Sequence, residues 1–382
     1  MTIYFDNAAT SLPKPEAVYK VMENTMRNCA NPGRSGHRMA LEAGRTIFRT
    51  RELLARLFSI KNPMQIIFTH NATDSLNLGI KGILKKGDHV ITTSMEHNSV
   101  IRPLKTLEGK EIIDLTLIKG NEQGIVLVED IEKEIRENTK MIITTHASNV
   151  VGTILPISKI GKLAKKYNII YMVDAAQSAG VYDIDVNMYN IDILAFPGHK
   201  GLLGPQGTGG LYIKEGIELE TLREGGTGSL SESLTQPLTM PDRYESGTHN
   251  TIGIAGLGAG ISYILDEGIE NIRKHEEMLT QHLIDGLSEI DNVIIYGTKD
   301  AKKQAAVVSI NIGEADSSEI SFILDNNYDI ACRSGLHCAS LSHKTIGTFE
   351  QGTIRLSMGY FNTIEEVNKT INAIGDISKR II

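Results

Sequence analysis

A lysine in a glycine-rich segment is the first candidate for chemistry in this sequence. The segment FPGHKGLLGPQGTG spans residues 196–209, and Lys200 stands in it directly after His199. A lysine in a partly dry site has a depressed pKa and can form a Schiff base with a carbonyl group, as it does with pyridoxal 5'-phosphate (PLP). The neighbouring glycines would let the backbone approach a bulky flat ligand. By itself, such a segment is more often a turn that carries a solvated lysine.

A carboxylate upstream has the chemistry that the same cofactor needs. Asp174 lies in VDAAQSAG, residues 173–180, at the predicted end of an apolar strand. PLP requires a carboxylate beside its pyridine nitrogen, so that the protonated ring withdraws electrons from a substrate carbanion. Gln177 lies one turn further on and could reach the ring hydroxyl. The alternative interpretation of Asp174 is a helix N-cap.

Three more polar turns follow predicted strands. In THNATDSLNLG, Ala72 and Thr73 could present backbone N–H groups and a hydroxyl to a phosphate at a helix N-terminus. In SMEHNSV, the ring of His97 could stack on a cofactor ring, and in HASNVVGT, Asn149 could hydrogen-bond a ring oxygen. The alternatives are simple helix capping by Thr73 or Asp74, and a His97 that is structural or exposed.

A candidate nucleophile, Cys338, lies near the C-terminus in the segment CRSGLHCASLSH, residues 332–343. A reactive cysteine needs thiolate character, access to solvent and cationic neighbours. Cys338 stands in a segment rich in Gly and Ser, where Arg333, His337 and His343 could supply positive potential. Because free cysteine is often a small buried residue, local chemistry alone also leaves a structural role open.

Composition excludes several classes of function. The 382 residues include 39 Lys+Arg and 46 Asp+Glu, a formal net charge of -7, which argues against a general nucleic-acid binder. No apolar run is long enough to span a membrane, and MTIYFDNAATS lacks the regions of a signal peptide, so we expect a cytoplasmic protein. Three cysteines cannot all pair within one chain, so reduced thiols are expected, with Cys29 and Cys332 structural. No C-x-x-C pair or H-E-x-x-H motif occurs, and no metal site is predicted.

Alternating apolar runs and amphipathic stretches must position these segments. Strands are predicted at residues 65–69, 88–93, 141–145, 169–173, 191–196 and 209–213, and helices at 74–84 and 156–167. This alternation indicates a mostly parallel sheet covered on both faces. Ligands bind beyond the carboxyl ends of the strands in such sheets, which is where the polar clusters lie.

The pattern changes after about residue 255. Helices are predicted at 272–287, near 317–324 and from 365 to the end, with strands at 293–296, 307–312 and 353–357, and together they indicate a smaller α/β domain. Residues 225–247 predict a long loop, of the kind that is often functional. The run GLGAG, residues 256–260, is superficially like a dinucleotide fingerprint, but no strand precedes it, so close helix packing is predicted.

In their order, YFDNAATS, NATDSLNL, MEHNS, HASNVVGT, VDAAQSAG, GHK and YESGTHN resemble the motifs of the class V, fold type I PLP enzymes, over nearly the whole chain. The resemblance implies an α/β fold. Its large PLP-binding domain, residues 16–255, would hold a mostly parallel seven-stranded sheet. Residues 1–15 and 256–382 would form a smaller α/β domain that carries the cysteine loop.

The resemblance also implies residue roles. These are Lys200 as the lysine that carries PLP, Asp174 at the pyridine nitrogen, Gln177 and Asn149 near the phenolic oxygen, His97 stacked on the ring, and Thr73 and His199 at the phosphate. Thr248, in YESGTHN, would reach the phosphate of the neighbouring subunit, which implies a homodimer with active sites at its interface. The family commonly has Ser two residues before the His of S-G-H-K, but this chain has Pro197 there, so one phosphate contact is missing or replaced.

The pattern R-x-G-x-H-C-A around Cys338 is similar to the active-site loop of type II (SUF-type, selenocysteine lyase-like) cysteine desulfurases. This similarity implies that Cys338 carries sulfur as a persulfide. It also implies that Arg355, in TIRLSMGYFNT, binds the substrate carboxylate together with Asn149. Arg34 and His37, in NPGRSGH, would lie at the substrate entrance, although the family commonly reads H-R-G-x-H and this chain has one extra residue in that spacing.

The implied reaction converts L-cysteine to L-alanine, with Lys200, Cys338 and His97 as the catalytic residues. Lys200, displaced from PLP by the substrate, removes the Cα proton, and the Cys338 thiolate attacks the substrate sulfur. A stable persulfide implies an acceptor, a SUF-type sulfur-transfer protein. Selenocysteine lyase, acting on L-selenocysteine, is the nearest alternative and need not use Cys338. A class V aminotransferase has no use for a reactive cysteine in that loop, and a PLP-binding regulator would need a further module for which the chain has no room.

Overall fold

A computed structural model describes residues 2–32 and 36–381 of the chain. The strands are β1 (Ile3–Tyr4), β2 (Ile66–Thr69), β3 (Asp88–Thr93), β4 (Ile113–Ile118), β5 (Thr139–Thr145), β6 (Ile170–Asp174), β7 (Ile193–Pro197), β8 (Gly209–Ile213), β9 (Val293–Tyr296), β10 (Val307–Ile312), β11 (Ile330–Ala331), β12 (Arg333–Gly335) and β13 (Thr353–Ser357). The α-helices are α1 (Glu16–Asn28), α2 (Arg38–Leu57), α3 (Ala72–Ile83), α4 (Asn98–Gly109), α5 (Val128–Lys133), α6 (Ile157–Lys166), α7 (Thr251–Glu267), α8 (Ile269–Ser288), α9 (Ser317–Tyr328), α10 (Ser340–Ile346) and α11 (Ile364–Ile381).

The predicted large sheet is confirmed. Seven strands pair in the order β2-β8-β7-β6-β5-β3-β4, and β8 alone among them runs antiparallel to its neighbours. The central strands β6 and β7 are apolar and almost entirely buried, as strands covered by helices on both faces must be. In register, Thr145 lies opposite Asp174, and Asp174 lies opposite Ala195. The carboxyl ends of β5, β6 and β7 therefore meet at one edge, where the polar turns follow.

A second, antiparallel sheet has the order β12-β13-β10-β9 and packs against α8 and α9, and α11 joins the same hydrophobic core. Its core includes Ile3 and Phe5 from the N-terminus, because β1 pairs with β11 and Asp6 forms a bridge to Ser357. The boundary predicted at residue 256 falls inside α7, whose Leu257 and Ile261 join the core of the large sheet. The division into two domains itself stays a prediction.

The glycines of GLGAG serve helix packing, as predicted. A Cβ atom at Gly258 would lie 2.5 Å from the Thr50 hydroxyl oxygen on α2, and one at Gly260 would lie 2.5 Å from the carbonyl oxygen of Leu202. Because Leu202 follows Lys200 closely, α7 lies directly against the loop that carries this lysine.

Residues 225–247 form no helix or strand, in agreement with the predicted loop. Among the described residues, no single helix has the length and apolar composition to cross a membrane. The pair α7 and α8 meets those two criteria together, with a bend of 84° between them.

Candidate active site

A cavity of about 240 Å³ lies at the carboxyl edge of the large sheet. Its walls include most of the residues singled out from the sequence, although these come from distant parts of the chain. Those residues are Ala72, Thr73, His97, Asn149, Asp174, Gln177, His199, Lys200 and Arg355. The structure thus brings together the candidates for the cofactor and for the substrate carboxylate.

Lys200 lies just beyond β7, in a loop whose backbone is tightly packed. Its carbonyl oxygen accepts hydrogen bonds from the Leu203 N–H, at 2.8 Å, and from the Ser11 hydroxyl, at 3.0 Å. A Cβ atom at Gly201 would lie 2.5 Å from the Ala179 carbonyl oxygen. This glycine therefore lets two backbone segments approach each other.

Burial and charge set the protonation of Lys200. Burial lowers the pKa of the ammonium group to about 8; the positive charge of Arg355 acts in the same direction and the carboxylate of Asp174 opposes it. A neutral amine is consequently accessible near neutral pH, as a Schiff-base lysine requires.

Asp174 ends β6 and is only 2% exposed. Its Oδ1 accepts a hydrogen bond from the Ala176 N–H at 2.9 Å, in a turn. No α-helix begins there within residues 175–192, so the helix N-cap interpretation is wrong. Burial raises the pKa of this carboxyl group, against the opposing effects of that N–H and of Lys200. The Gln177 amide lines the same wall and donates to the Ala8 carbonyl oxygen at 3.1 Å.

His97 is the N-cap of α4 and faces the cavity. Its Nδ1 accepts the backbone N–H of Ser99 at 3.0 Å, so the proton of the neutral ring belongs on Nε2. Burial, followed by the positive charge of Lys200, lowers the pKa of His97 to about 4. His97 is therefore neutral at physiological pH.

The first turn of α3 supplies Ala72 and Thr73 to the cavity. The cap of this helix is Asn71, whose side-chain oxygen accepts the Asp74 N–H at 2.9 Å, so the alternative of capping by Thr73 or Asp74 is wrong. Across the cavity, His199 has a buried Nδ1 without a hydrogen-bond partner in the described part of the chain. Burial, followed by the positive charges of Lys200 and Lys14, lowers the pKa of His199 to about 4.

Arg355, on β13, is 1% exposed and closes the cavity from the side of the smaller sheet. Its guanidinium donates to the Asn149 carbonyl oxygen at 3.0 Å and to Asp6 Oδ1 at 2.8 Å. The buried Nε–H finds no acceptor in residues 2–32 and 36–381. Asn149 also donates its side-chain amide to the His337 carbonyl oxygen at 2.6 Å, and so links Arg355 to the cysteine loop.

Cys338 is exposed, in a turn where both His337 (φ 48°) and Cys338 (φ 59°) have the left-handed conformation. Its Sγ lies 3.7 Å from the Arg333 guanidinium. Burial lowers the pKa of His337 to about 2 and that of His343 to about 4, so both rings are neutral near pH 7. The expectation that these histidines supply positive potential is wrong, and Arg333 is the cation at the thiol.

Thr248 and His37, two further sequence candidates, do not line this cavity. Thr248 is exposed and lies outside the cavity of its own chain, and the exposed His37 instead caps α2, with Nδ1 3.4 Å from the Ala40 nitrogen. Arg34 lies outside the described residues. The roles proposed for these three residues stay predictions.

Sequence reasoning missed two polar residues at the site. Asp6 pairs with Arg355, and Ser99 lines the cavity with its hydroxyl 2.8 Å from that of Thr73. Asp6 stands in YFDNAATS and Ser99 in MEHNS, so the motifs contained both residues. Their partners are distant in sequence, so no local pattern could have identified their contacts.

Comparison with known proteins agrees with this geometry. The family model for aminotransferase class V matches residues 3–370. A probable cysteine desulfurase of Pyrococcus abyssi is 36% identical over 386 residues, covering 99% of this chain and 95% of the relative. A probable cysteine desulfurase of Methanothermobacter thermautotrophicus is 37% identical over 372 residues, covering 96% of this chain and 92% of the relative.

A solved structure gives the same result. The apo structure of a cysteine desulfurase from Thermococcus onnurineus NA1 superposes with a TM-score of 0.94 at 36% identity, covering 99% of this chain and 95% of that one. The fold, the family model and the full-length relatives agree, and this chain belongs to the aminotransferase class V family, among its cysteine desulfurases.

Proposed function

We propose that this protein releases sulfur from L-cysteine with PLP on Lys200 and takes that sulfur on Cys338. One observation carries the proposal: a single cavity holds Lys200, the buried Asp174 and Arg355, and its edge is the loop of an exposed cysteine. The first two groups suit PLP, the third suits an amino-acid carboxylate, and the thiol is a nucleophile. An aminotransferase would use the first three and has no use for the fourth.

The residues of the cavity fit PLP. Asp174 is a nearly fully buried carboxylate suited to a protonated ring nitrogen, and the first turn of α3 suits a phosphate. The buried Nδ1 of His199, unpaired among the residues described, is a further polar group that a bound ligand would satisfy. PLP supplies, when bound, an electron-withdrawing ring that stabilises negative charge at the substrate Cα.

Lys200 moves the proton. With its pKa lowered to about 8, its amine is neutral often enough to hold the cofactor, and as a free amine Nζ would accept the substrate Cα proton. His97, neutral and with its Nδ1 already paired, keeps an Nε2–H donor for the cavity.

Arg355 orients the substrate. Asp6 and the Asn149 carbonyl oxygen hold two nitrogens of its guanidinium, and the unpaired Nε–H is available to a carboxylate. A fixed planar fork suits a carboxylate better than a flexible ammonium does.

Cys338 accepts the sulfur. Its thiolate attacks the sulfur atom of the substrate, so that the new S–S bond forms as the Cβ–S bond breaks. L-cysteine and the thiol thus become L-alanine and a Cys338 persulfide, with no external oxidant. Arg333 places a positive charge 3.7 Å from Sγ, and the exposed position allows transfer to an acceptor protein. The proposal includes a homodimer in which Thr248 reaches the partner's site.

The test is an assay of sulfide and alanine from L-cysteine with reductant, in wild type, Cys338→Ser and the matched control Cys332→Ser. Cys332 lies six residues earlier, is half-buried and has a pKa raised to about 11 by burial. We expect Cys338→Ser to lose at least about 100-fold in rate, because the nucleophile is removed, while the control keeps its activity. Equal turnover of L-cysteine by both variants would contradict the proposal, and turnover of L-selenocysteine alone would favour a lyase.

A further inference from the structure

Two helix N-terminal turns meet at the cavity and present hydroxyl groups to each other. Thr73 is the second residue of α3, and Ser99 is the second residue of α4. Their hydroxyl oxygens are 2.8 Å apart, and both residues line the cavity together with His199 and Pro197. Any anion that contacts the Thr73 hydroxyl is therefore within reach of Ser99.

The cavity lacks a donor at another position. Pro197, the last residue of β7, has neither a hydroxyl nor an N–H, and it stands where the resembling enzymes commonly have Ser. Nearby, the buried Nδ1 of His199 has no hydrogen-bond partner in the portion of the chain described. A buried polar atom without a partner in a polar cavity indicates a ligand there.

We propose that Ser99 donates to the PLP phosphate the hydroxyl hydrogen bond that Pro197 cannot supply. This inference rests on the proposed function and adds a cofactor-binding residue to it. The phosphate would lie between the first turns of α3 and α4, where both helix dipoles favour an anion.

Ser99 can change its hydrogen-bond partner at little cost. Its hydroxyl now lies 2.9 Å from His97 Nδ1, but the Ser99 backbone N–H also donates to that nitrogen, at 3.0 Å. Turning the hydroxyl towards a phosphate therefore leaves the histidine nitrogen paired. A charged phosphate oxygen is a stronger acceptor than either a neutral hydroxyl or an imidazole nitrogen, so the new hydrogen bond is favoured.

The experiment measures binding of PLP and of pyridoxal, which lacks the phosphate, to the full-length PLP-free protein. It compares wild type with Ser99→Ala and with Thr106→Ala, which removes a hydroxyl from the exposed side of the same helix. We expect Ser99→Ala to raise the Kd for PLP about 10- to 100-fold, the range that a hydrogen bond to a charged group contributes. The Kd for pyridoxal should not change, and Thr106→Ala should match wild type with both.

The two probes separate the outcomes. An unchanged Kd for PLP in Ser99→Ala overturns the inference. An equal loss of affinity for PLP and pyridoxal also overturns it, because Ser99 would then act on the cofactor ring through His97 and not on the phosphate. Failure of wild type to bind PLP would instead contradict the proposed function. Adding Pro197→Ser to Ser99→Ala should recover part of the lost PLP affinity, and a Kd that stays as weak as in Ser99→Ala would also count against the inference.

Discussion

At the residue scale, the charge on Lys200 is set by burial and by neighbours of both signs, of which Arg355 and Asp174 act most strongly. Arg355 lowers the pKa of the ammonium group and Asp174 raises it, and both act on a group that burial already shifts to about 8. Since only the neutral amine attacks a carbonyl, the pH dependence of PLP attachment reports this balance directly.

We expect the rate of PLP attachment to the PLP-free protein to rise with pH through a midpoint near 8. Arg355→Gln should move that midpoint to higher pH, because a positive neighbour is lost, and Asp174→Asn should move it to lower pH. Absorbance of the Schiff base at a series of pH values measures both shifts. Arg355→Lys, which keeps the positive charge, is the control, and shifts in the opposite directions would contradict the assignment.

Asp6 is expected to act through Arg355. The 2.8 Å contact holds a guanidinium that is 1% exposed, so Asp6→Asn should loosen its orientation, while Asp6 has the smallest of the effects on the Lys200 pKa. We predict a KM for L-cysteine raised about tenfold, with kcat changed by less than about threefold, because ground-state binding of the carboxylate is affected most. A fall in kcat at unchanged KM would argue against this role, and the melting temperature of the variant shows whether it is folded.

At the element scale, helix α7 and the Lys200 loop form one packed unit. Gly260 lets the helix approach the Leu202 carbonyl. The N-terminal segment also contacts the loop, through hydrogen bonds from Ser11 and Lys14 to its carbonyl oxygens. Rigid support of this kind is what a catalytic lysine needs to stay in place.

Gly260→Ala is predicted to lower stability by about 1–3 kcal/mol, the range for overpacking, since its Cβ would lie 2.5 Å from a backbone oxygen. PLP affinity should fall as well, because the loop must move. Gly109→Ala, at the exposed end of α4 with nothing within 4 Å, is the matched control and should be neutral or slightly stabilising. Urea unfolding of both variants measures the difference, and equal stability would contradict the packing argument.

At the scale of the whole molecule, the cavity lies where several parts of the chain meet. The large sheet supplies Lys200 and Asp174, the smaller sheet supplies Arg355, and the N-terminal segment supplies Asp6. Thr248 lies outside the cavity of its own chain, which fits a role in a partner's site.

A mixed dimer tests that role. In a heterodimer of one Lys200→Ala chain and one Thr248→Ala chain, the intact Lys200 would receive an intact Thr248 from its partner, so one of the two sites would be complete. We expect about half of the wild-type activity in the heterodimer and strongly reduced activity in both parent homodimers. Low activity in the purified heterodimer would indicate that Thr248 acts within its own chain, and full activity of the Thr248→Ala homodimer would indicate that Thr248 has no role.

Local sequence patterns were sufficient for much of the fold. The bounds of β3, β8, β9, β10 and β13 agree with the predicted strands, because short apolar runs between turn residues are a strong local signal. The order of the polar motifs was sufficient to place most of the site residues in one cavity. Helices α1, α2, α4, α5 and α10 were not predicted. Close helix packing was predicted for the α7 glycines, but the atoms packed against them come from distant parts of the chain.

Tertiary structure decided the charge states and the long-range partners. The sequence places His337 and His343 beside Cys338 as possible cations, yet burial makes both neutral and leaves Arg333 as the cation at the thiol. In the same way, Asp6 pairs with Arg355, 349 residues away, and Ser99 lies beside Thr73. The physical reason is common to these cases: desolvation and hydrogen bonding depend on atoms that only the folded chain brings together, whereas periodicity and motif order are properties of neighbouring residues.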